Sequence, residues 1–488
     1  MNKKSVLLSI IFSVCFFGFS YAQRFSIADV IERAKAQSPA SKRAETLKEN
    51  RYWSFRNYKA SFNPQLRLEG TLPAYNKSVT PVVQPDGTYR YYPVEQMFNY
   101  VELGLSQPIV WTNGIISANS GVNYFRNYKD LSPLGELWSG TVMNVELMQP
   151  LFSFNRLRWE QKIQPLLFEE SKREYVEEME FVAREAANRF FNVLEQQVNL
   201  QIATFNLANN DTIYKIEQGR YNIGSTSLDK LLQVELQLLT SRSAVAQANL
   251  NLENARLLLR SFIGLNEDDA FPELVLPETI PVFDVSVDEA LDYAKKNRAA
   301  FISFERQRLQ ADRDLAQAKG NRFSTTVTAA YGLNNNALQM NDIYQNPIEQ
   351  QQMSLTFSIP VVDWGRNKSL MRRAIANKKL TDYTIAQEEV NFEQTIITQV
   401  RNFEMLRLQI EITKKSDQVA AERYNVSQNR YLIGKIDITN LNIALKEKDE
   451  AKRGYIQALK DFWLAYYDLR RYTLFDFLNK QLLYQPEK

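Results

Sequence analysis

Two five-residue segments carry the side chains best suited to chemistry in this chain, Arg220-Tyr221-Asn222-Ile223-Gly224 and Arg430-Tyr431-Leu432-Ile433-Gly434, and they stand 210 positions apart. A guanidinium, a phenol and a glycine suit recognition and capping: arginine pairs with carboxylates or the end of a helix, tyrosine packs and hydrogen-bonds, and glycine takes the positive φ that ends a helix. Catalysis has far less to draw on. The 488 residues hold no histidine and a single cysteine, Cys15, so the usual zinc ligands and the side chain titrating nearest neutrality are missing. There is also no glycine-rich phosphate loop. The expectation is no enzyme, no metal and no cofactor.

Residues 1–22 read as a secretory signal peptide: Lys3 and Lys4, the apolar run Val6 to Phe19, then Ser20-Tyr21-Ala22 at the cleavage site. Cys15 lies inside the apolar run after Ser13-Val14, which argues against lipidation. The leader takes two of the 59 basic residues, leaving near balance with the 56 acidic ones, so nothing attracts nucleic acid. Past the leader no apolar run approaches the roughly 20 residues of a membrane helix. A membrane crossing has to be made with strands.

Stepping outward from the two segments, Pro150 and Pro360 share the 210 offset, and in each half 71 positions separate the proline from the motif tyrosine. Ser26 and Ser286, each followed by an acid three residues on, read as helix N-caps, the second a capping box; their offset is 260. The chain is a duplicated unit whose first half carries 50 extra residues between Asn63-Pro64 and Gln149-Pro150. An additional strand pair is the simplest account of them, a long extracellular loop the alternative. The boundaries that follow are a first half at 23–264, a connector at 265–285 with Pro272, Pro277 and Pro281, a second half at 286–475 and a tail at 476–488.

Period-two alternation marks strands within 64–150 and 323–360. Leu66, Leu68 and Leu72, Val101, Leu103 and Leu105, and Met353, Leu355, Phe357 and Ile359 each oppose polar neighbours. One face is greasy and the other wet, as in an outer-membrane barrel or a soluble sandwich. After Pro150 and Pro360, Phe191, Leu194, Val198, Ile202 and Phe205, and likewise Phe392, Ile396, Val400, Phe403, Leu406 and Ile410, recur at helical spacing. No glycine interrupts 155–218, and about 65 helical residues would extend about 100 Å. Pro165 should cap or kink that helix near its start. Shorter helices are expected at about 26–60, 228–262, 286–319 and 438–471. Each half reads helix, strands, long helix, Arg-Tyr-x-Ile-Gly turn, returning helix, giving helical hairpins with tips at Gly224 and Gly434.

With this order, duplication and spacing, the chain resembles the TolC-like outer-membrane efflux protein family. The residues carrying the resemblance are the caps at Ser26 and Ser286, Asn63-Pro64, Gln149-Pro150-Leu151-Phe152, Ile359-Pro360-Val361-Val362-Asp363 and both tips. It implies an α+β fold: an outer-membrane β-barrel shared by a homotrimer, plus a long periplasmic α-helical barrel built from the two hairpins. It also implies the exit duct of a tripartite efflux or type I secretion system, with a periplasmic adaptor docking on Arg220, Tyr221, Gly224, Arg430, Tyr431 and Gly434, and an inner-membrane transporter supplying energy. In the best-known family pattern aspartates ring the entrance a little after the second glycine. Those positions fall on Asn440 and Ile443 here, with Asp437 nearby as a substitute. Helix capping competes with docking at the tips, and plain helix charge competes with a gate at Asp229 and Asp437. The rivals of other classes are a periplasmic adaptor, which would need a lipoyl-like β domain and one hairpin, and a secreted structural coiled coil, which leaves the strands without purpose.

Overall fold

The 210-residue offset becomes an equality of helices. The computed structural model describes residues 24–129, 135–266, 271–277, 280–320 and 322–485, so the signal peptide, and parts of the connector and tail, lie outside the described residues. In chain order the elements are β1 (Arg24–Phe25), α1 (Ile27–Gln37), α2 (Pro39–Ala60), β2 (Gln65–Thr71), β3 (Tyr75–Val83), β4 (Tyr89–Ile109), β5 (Gly114–Asn127), β6 (Glu136–Leu151), α3 (Arg156–Asn222) and α4 (Leu228–Phe262). The second half follows with β7 (Glu273–Leu274), α5 (Val287–Asn297), α6 (Ala299–Gly320), β8 (Ser324–Ala337), β9 (Ile348–Ser358), α7 (Arg366–Leu432) and α8 (Ile438–Thr473), then β10 (Phe475–Asp476) and β11 (Gln481–Leu482). Helices α3 and α7 are 67 residues each, α1 and α5 11 each, α2 and α6 22 each.

The chain forms two spatial units, and both halves of the sequence contribute to each. One comprises residues up to 48, 172–299 and 389 onward; the other 49–171 and 300–388. In the second unit a fully antiparallel sheet runs β2-β4-β5-β6-β8-β9, with β3 paired to the distal part of β4. Directly opposed residues share a face. Leu66 opposes Leu105, Leu68 Leu103 and Val101 Val122 on one side; Glu69 opposes Glu102, Gly104 Asn119, Ser117 Glu146 and Ala330 Gln352 on the other. The alternation read from sequence is thus a sheet with one apolar face and one polar face carrying the carboxylates Glu69, Glu102 and Glu146. Residues 109–150 contain β5 and β6. Among the described residues the sheet ends on β2 and β3 at one side and on β9 at the other, and the outer backbone groups of these strands face no further strand. No helix among the described residues is long and apolar enough to cross a membrane.

The other unit holds the hairpins. Its core is aromatic and branched: Phe190, Phe191, Ile396, Val400, Phe403 and Phe462 are fully or almost fully buried, and Phe191, Ile396, Val400 and Phe403 among them lie on the stripes that helical spacing marks out. Phe205 departs from its stripe and is about half exposed. Several local expectations are corrected. The run 26–60 is two helices, because Pro39 disfavours helical φ/ψ at Ser38 and starts the next helix itself. The run 286–319 is broken at Arg298, whose backbone is extended and whose guanidinium lies over Phe392 and Tyr472. The capping box belongs to Ser26, which exchanges bonds with Asp29, while Ser286 caps α5 without a side-chain bond. Pro165 lies inside α3 and does not cap it; Asn155 does, accepting from the Arg158 N–H at 3.0 Å. Within the described part of the C-terminal stretch, β10 pairs with β11, and buried Asp476 accepts from Tyr466 and Arg470.

Candidate functional site

Both tips are Schellman motifs. In the first, the Ser225 N–H bonds the Arg220 carbonyl at 2.8 Å and the Gly224 N–H the Tyr221 carbonyl at 2.9 Å; in the second, Lys435 and Gly434 repeat this on Arg430 and Tyr431 at the same distances. Gly224 and Gly434 have φ of +72° and +75°, the left-handed conformation that disfavours a side chain. The recurring Arg-Tyr-x-Ile-Gly is thus a helix end whose arginine and tyrosine carbonyls are the acceptors and whose glycine makes the turn.

The two copies then differ. Tyr431 is 4% exposed and packs with Ile213, Val234, Tyr424, Ile438, Leu441 and Leu445, while Tyr221 is 40% exposed. The Tyr431 hydroxyl donates to Glu217 Oε1 at 2.7 Å. Arg220 Nη1 reaches the same oxygen at 2.6 Å, and its guanidinium sits 5.6 Å from the Tyr431 ring centre. Glu217 of α3 therefore clasps the end of α7, tying hairpin to hairpin. Burial pushes its carboxyl up, but the bonds from Tyr431, Arg220 and Thr226 and the Arg220 charge outweigh this and hold it below the usual glutamate range. Burial, then the bond to Glu217, drives the Tyr431 phenol well above its ordinary value. Gly224, Arg430 and Gly434 are exposed, as are Ile223, Leu432 and Ile433.

Asp437 is the N-cap of α8. Its Oδ1 accepts from the Asn440 backbone at 2.9 Å and from Asn440 Nδ2 at 2.7 Å; Ser227 holds the equivalent place on α4, and Asp229 lies in that helix's first turn. Asn440 and Ile443 are exposed, whereas Ile438, Leu441 and Leu445 are buried, so the two occupy the part of α8 turned from its packing face. A cleft of about 210 Å³ between the tips is lined by Glu217, Arg220, Lys230, Tyr431 and Asp437 among others. No group of carboxylates able to hold a metal occurs among the described residues. Sequence reading missed Glu217. Its only signal is that it lies three residues before Arg220, one helical turn away.

An antiparallel sheet with one apolar and one polar face, in a chain that also forms two long helical hairpins, defines a class: the outer-membrane channels that continue into a helical domain. The profile of the family described as Outer membrane efflux protein matches residues 122–265 and 290–473, and the chain belongs to that family, the TolC-like efflux channels. It is an outer-membrane efflux channel with a periplasmic helical domain and no enzymatic role. Among solved structures its fold is similar to CusC, whose description speaks of transmembrane channel formation (14% identity, 92% of this chain and 91% of that one, TM-score 0.62). It is similar too to the CmeC outer membrane channel of Campylobacter jejuni (15%, 92% and 85%, 0.64) and to the outer membrane protein VceC of Vibrio cholerae (13%, 92% and 95%, 0.63). No curated protein matches the sequence.

Proposed function

We propose that this channel is the exit duct of a tripartite efflux or type I secretion assembly, in which three copies share one barrel, a periplasmic adaptor docks on the helical tips, and an inner-membrane transporter supplies the energy. The observation that carries the reading is the sheet with two bare edges, β2 with β3 on one side and β9 on the other, and an apolar face. A single such sheet is too small to enclose a wide water-filled pore, and unpaired edges within a membrane are costly, so further copies must pair with them. Exposed stripes agree: Leu228, Leu232, Leu236 and Leu239 on α4, and Leu408, Ile412, Val419 and Val426 on α7. Both offer helical faces for a neighbouring copy to cover. Docking is assigned to the exposed parts of the tips, Tyr221, Ile223, Leu432 and Ile433, held out by the Gly224 and Gly434 turns. The entrance is assigned to Asn440 and Ile443. The test is solution mass in detergent together with heat-modifiable migration from the outer-membrane fraction. A trimer is expected; a stable monomer with all strands formed would overturn the proposal.

A further inference from the structure

Three asparagines of α3, seven residues apart, each hold a charged side chain of α8. Lys460 Nζ donates to Asn192 Oδ1 at 2.5 Å, Arg453 Nε donates to Asn199 Oδ1 at 2.9 Å, and Asn206 Nδ2 donates to Asp449 Oδ2 at 2.7 Å. Seven-residue spacing keeps one helix face toward a neighbour, so these bonds are rungs at successive heights toward the tips. The third rung is unlike the others. Asp449 is buried, and among the described residues its Oδ1 receives no hydrogen bond; neither do the buried Tyr424 hydroxyl and Asn206 Oδ1 beside it. The Lys448 ammonium stands 3.8 Å from Asp449 Oδ1, drawn over the rings of Phe205 at 3.9 Å and Tyr424 at 4.5 Å.

We propose that the Asp449 rung is the weak level built into the α3–α8 seam, the height at which the second hairpin parts from the first. A buried carboxylate with one oxygen lacking a donor loses hydration that the packed helices do not replace, and it regains that hydration when they separate. The groups facing Asp449 are the neutral Asn206 of α3, the Tyr424 phenol of α7, and Lys448 and Arg453 of α8 itself; Asp417 of α7 acts on Lys448. At this level α4 contributes the neutral Ser241, bonded to Asn210. Burial raises the Asp449 carboxyl above the ordinary aspartate range against the opposing pull of Asn206, Lys448 and Arg453. The packed state therefore holds the proton more tightly than the parted state. Ionisation at neutral pH favours parting, and acidification favours packing. That parting widens the periplasmic entrance rests on the duct reading; the behaviour of the seam does not.

The experiment uses the full chain in detergent on a Cys15→Ser background, spin-labelled at Ala208→Cys on α3 and Lys446→Cys on α8, with distances measured from about pH 7.5 down to about pH 4, the ordinary aspartate range. Acidification should lower the longer-distance population by about threefold or more. Asp449→Asn should give the acid-like distribution at every pH. Lys448→Met, which removes the cation that partly offsets the carboxylate, should enlarge the pH response. Lys460→Met, at the first rung, should leave it intact. A pH response that survives in Asp449→Asn, or one unchanged in Lys448→Met, overturns the proposal. Bilayer conductance measured alongside bears only on the duct reading, so the two can fail separately.

Discussion

Removing the phenol from one tip and not the other separates the two copies of the motif. Tyr431 is buried in a cluster of six apolar and aromatic side chains, whereas Tyr221 is exposed. Truncating a buried aromatic residue to alanine costs about 3–5 kcal/mol, while a surface substitution stays within about 0.5 kcal/mol. Tyr431→Phe removes only the bond to Glu217, and because Arg220 remains 2.6 Å from the same oxygen the carboxylate is not orphaned; a loss near the low end, about 1–1.5 kcal/mol, is expected. The order of destabilisation should be Tyr431→Ala, then Tyr431→Phe, with Tyr221→Ala close to wild type. In a unit of this size each kcal/mol moves the transition by about 2–4 °C, so thermal unfolding of the detergent-solubilised protein resolves all three. Equal shifts for Tyr221→Ala and Tyr431→Ala would refute the reasoning, since they would mean that the two tyrosines share one environment.

The tip glycines make a cleaner perturbation. A Cβ at Gly224 or Gly434 would meet nothing within 4 Å, so Gly224→Val with Gly434→Val should cost only the backbone strain, about 1–2 kcal/mol per site. Export should fall while the protein still reaches the outer membrane; undiminished export would leave the glycines a capping role alone. If Asn440 and Ile443 form the entrance as proposed, millimolar divalent cation on the periplasmic side should block bilayer conductance only weakly, because amide and alkyl groups do not offset cation dehydration. Tight block abolished by Asp437→Asn would instead place an acidic ring at the N-cap. Combining Glu69→Gln, Glu102→Gln and Glu146→Gln should lower cation-over-anion selectivity in reversal-potential measurements, and unchanged selectivity would show that the polar sheet face does not line the ion path.

What the sequence made legible was whatever depends on near neighbours along the chain. The 210 offset anticipates the matched α3 and α7, Gly224 and Gly434 anticipate the left-handed turns, and the alternation around Leu66, Leu103 and Leu355 anticipates the two-faced sheet. Pro39 also carried a readable signal, a proline two residues after the end of α1 at Gln37, that a purely periodic reading of 26–60 passes over. The rest depends on partners far away in sequence. Tyr221 and Tyr431 sit in near-identical segments, and it is partners such as Ile213, Val234 and Glu217, the last 214 positions from Tyr431, that make one a buried hydrogen-bond donor while the other stays a surface ring. Likewise the partners that gather at the Arg298 break, Phe392 and Tyr472 beside its guanidinium and Glu177 accepting from the Ala299 N–H, lie far away in sequence, and no local pattern brings them there. Nor did sequence reading single out Asn192, Asn199 and Asn206, whose seven-residue spacing carries meaning only through their bonding to α8.

Because α3 and α7 have the same 67 residues, their lengths can change only in step. Deleting one residue from α7 turns everything beyond it by about 100° and draws it back by about 1.5 Å, enough to carry Tyr431 away from Glu217. Deleting seven from each long helix, and seven from each returning helix, leaves every face where it was and merely lowers both tips together. The paired hairpins are in this sense a ruler graduated in heptads. The span this protein can bridge is adjustable in steps of about 10 Å and at almost no value in between.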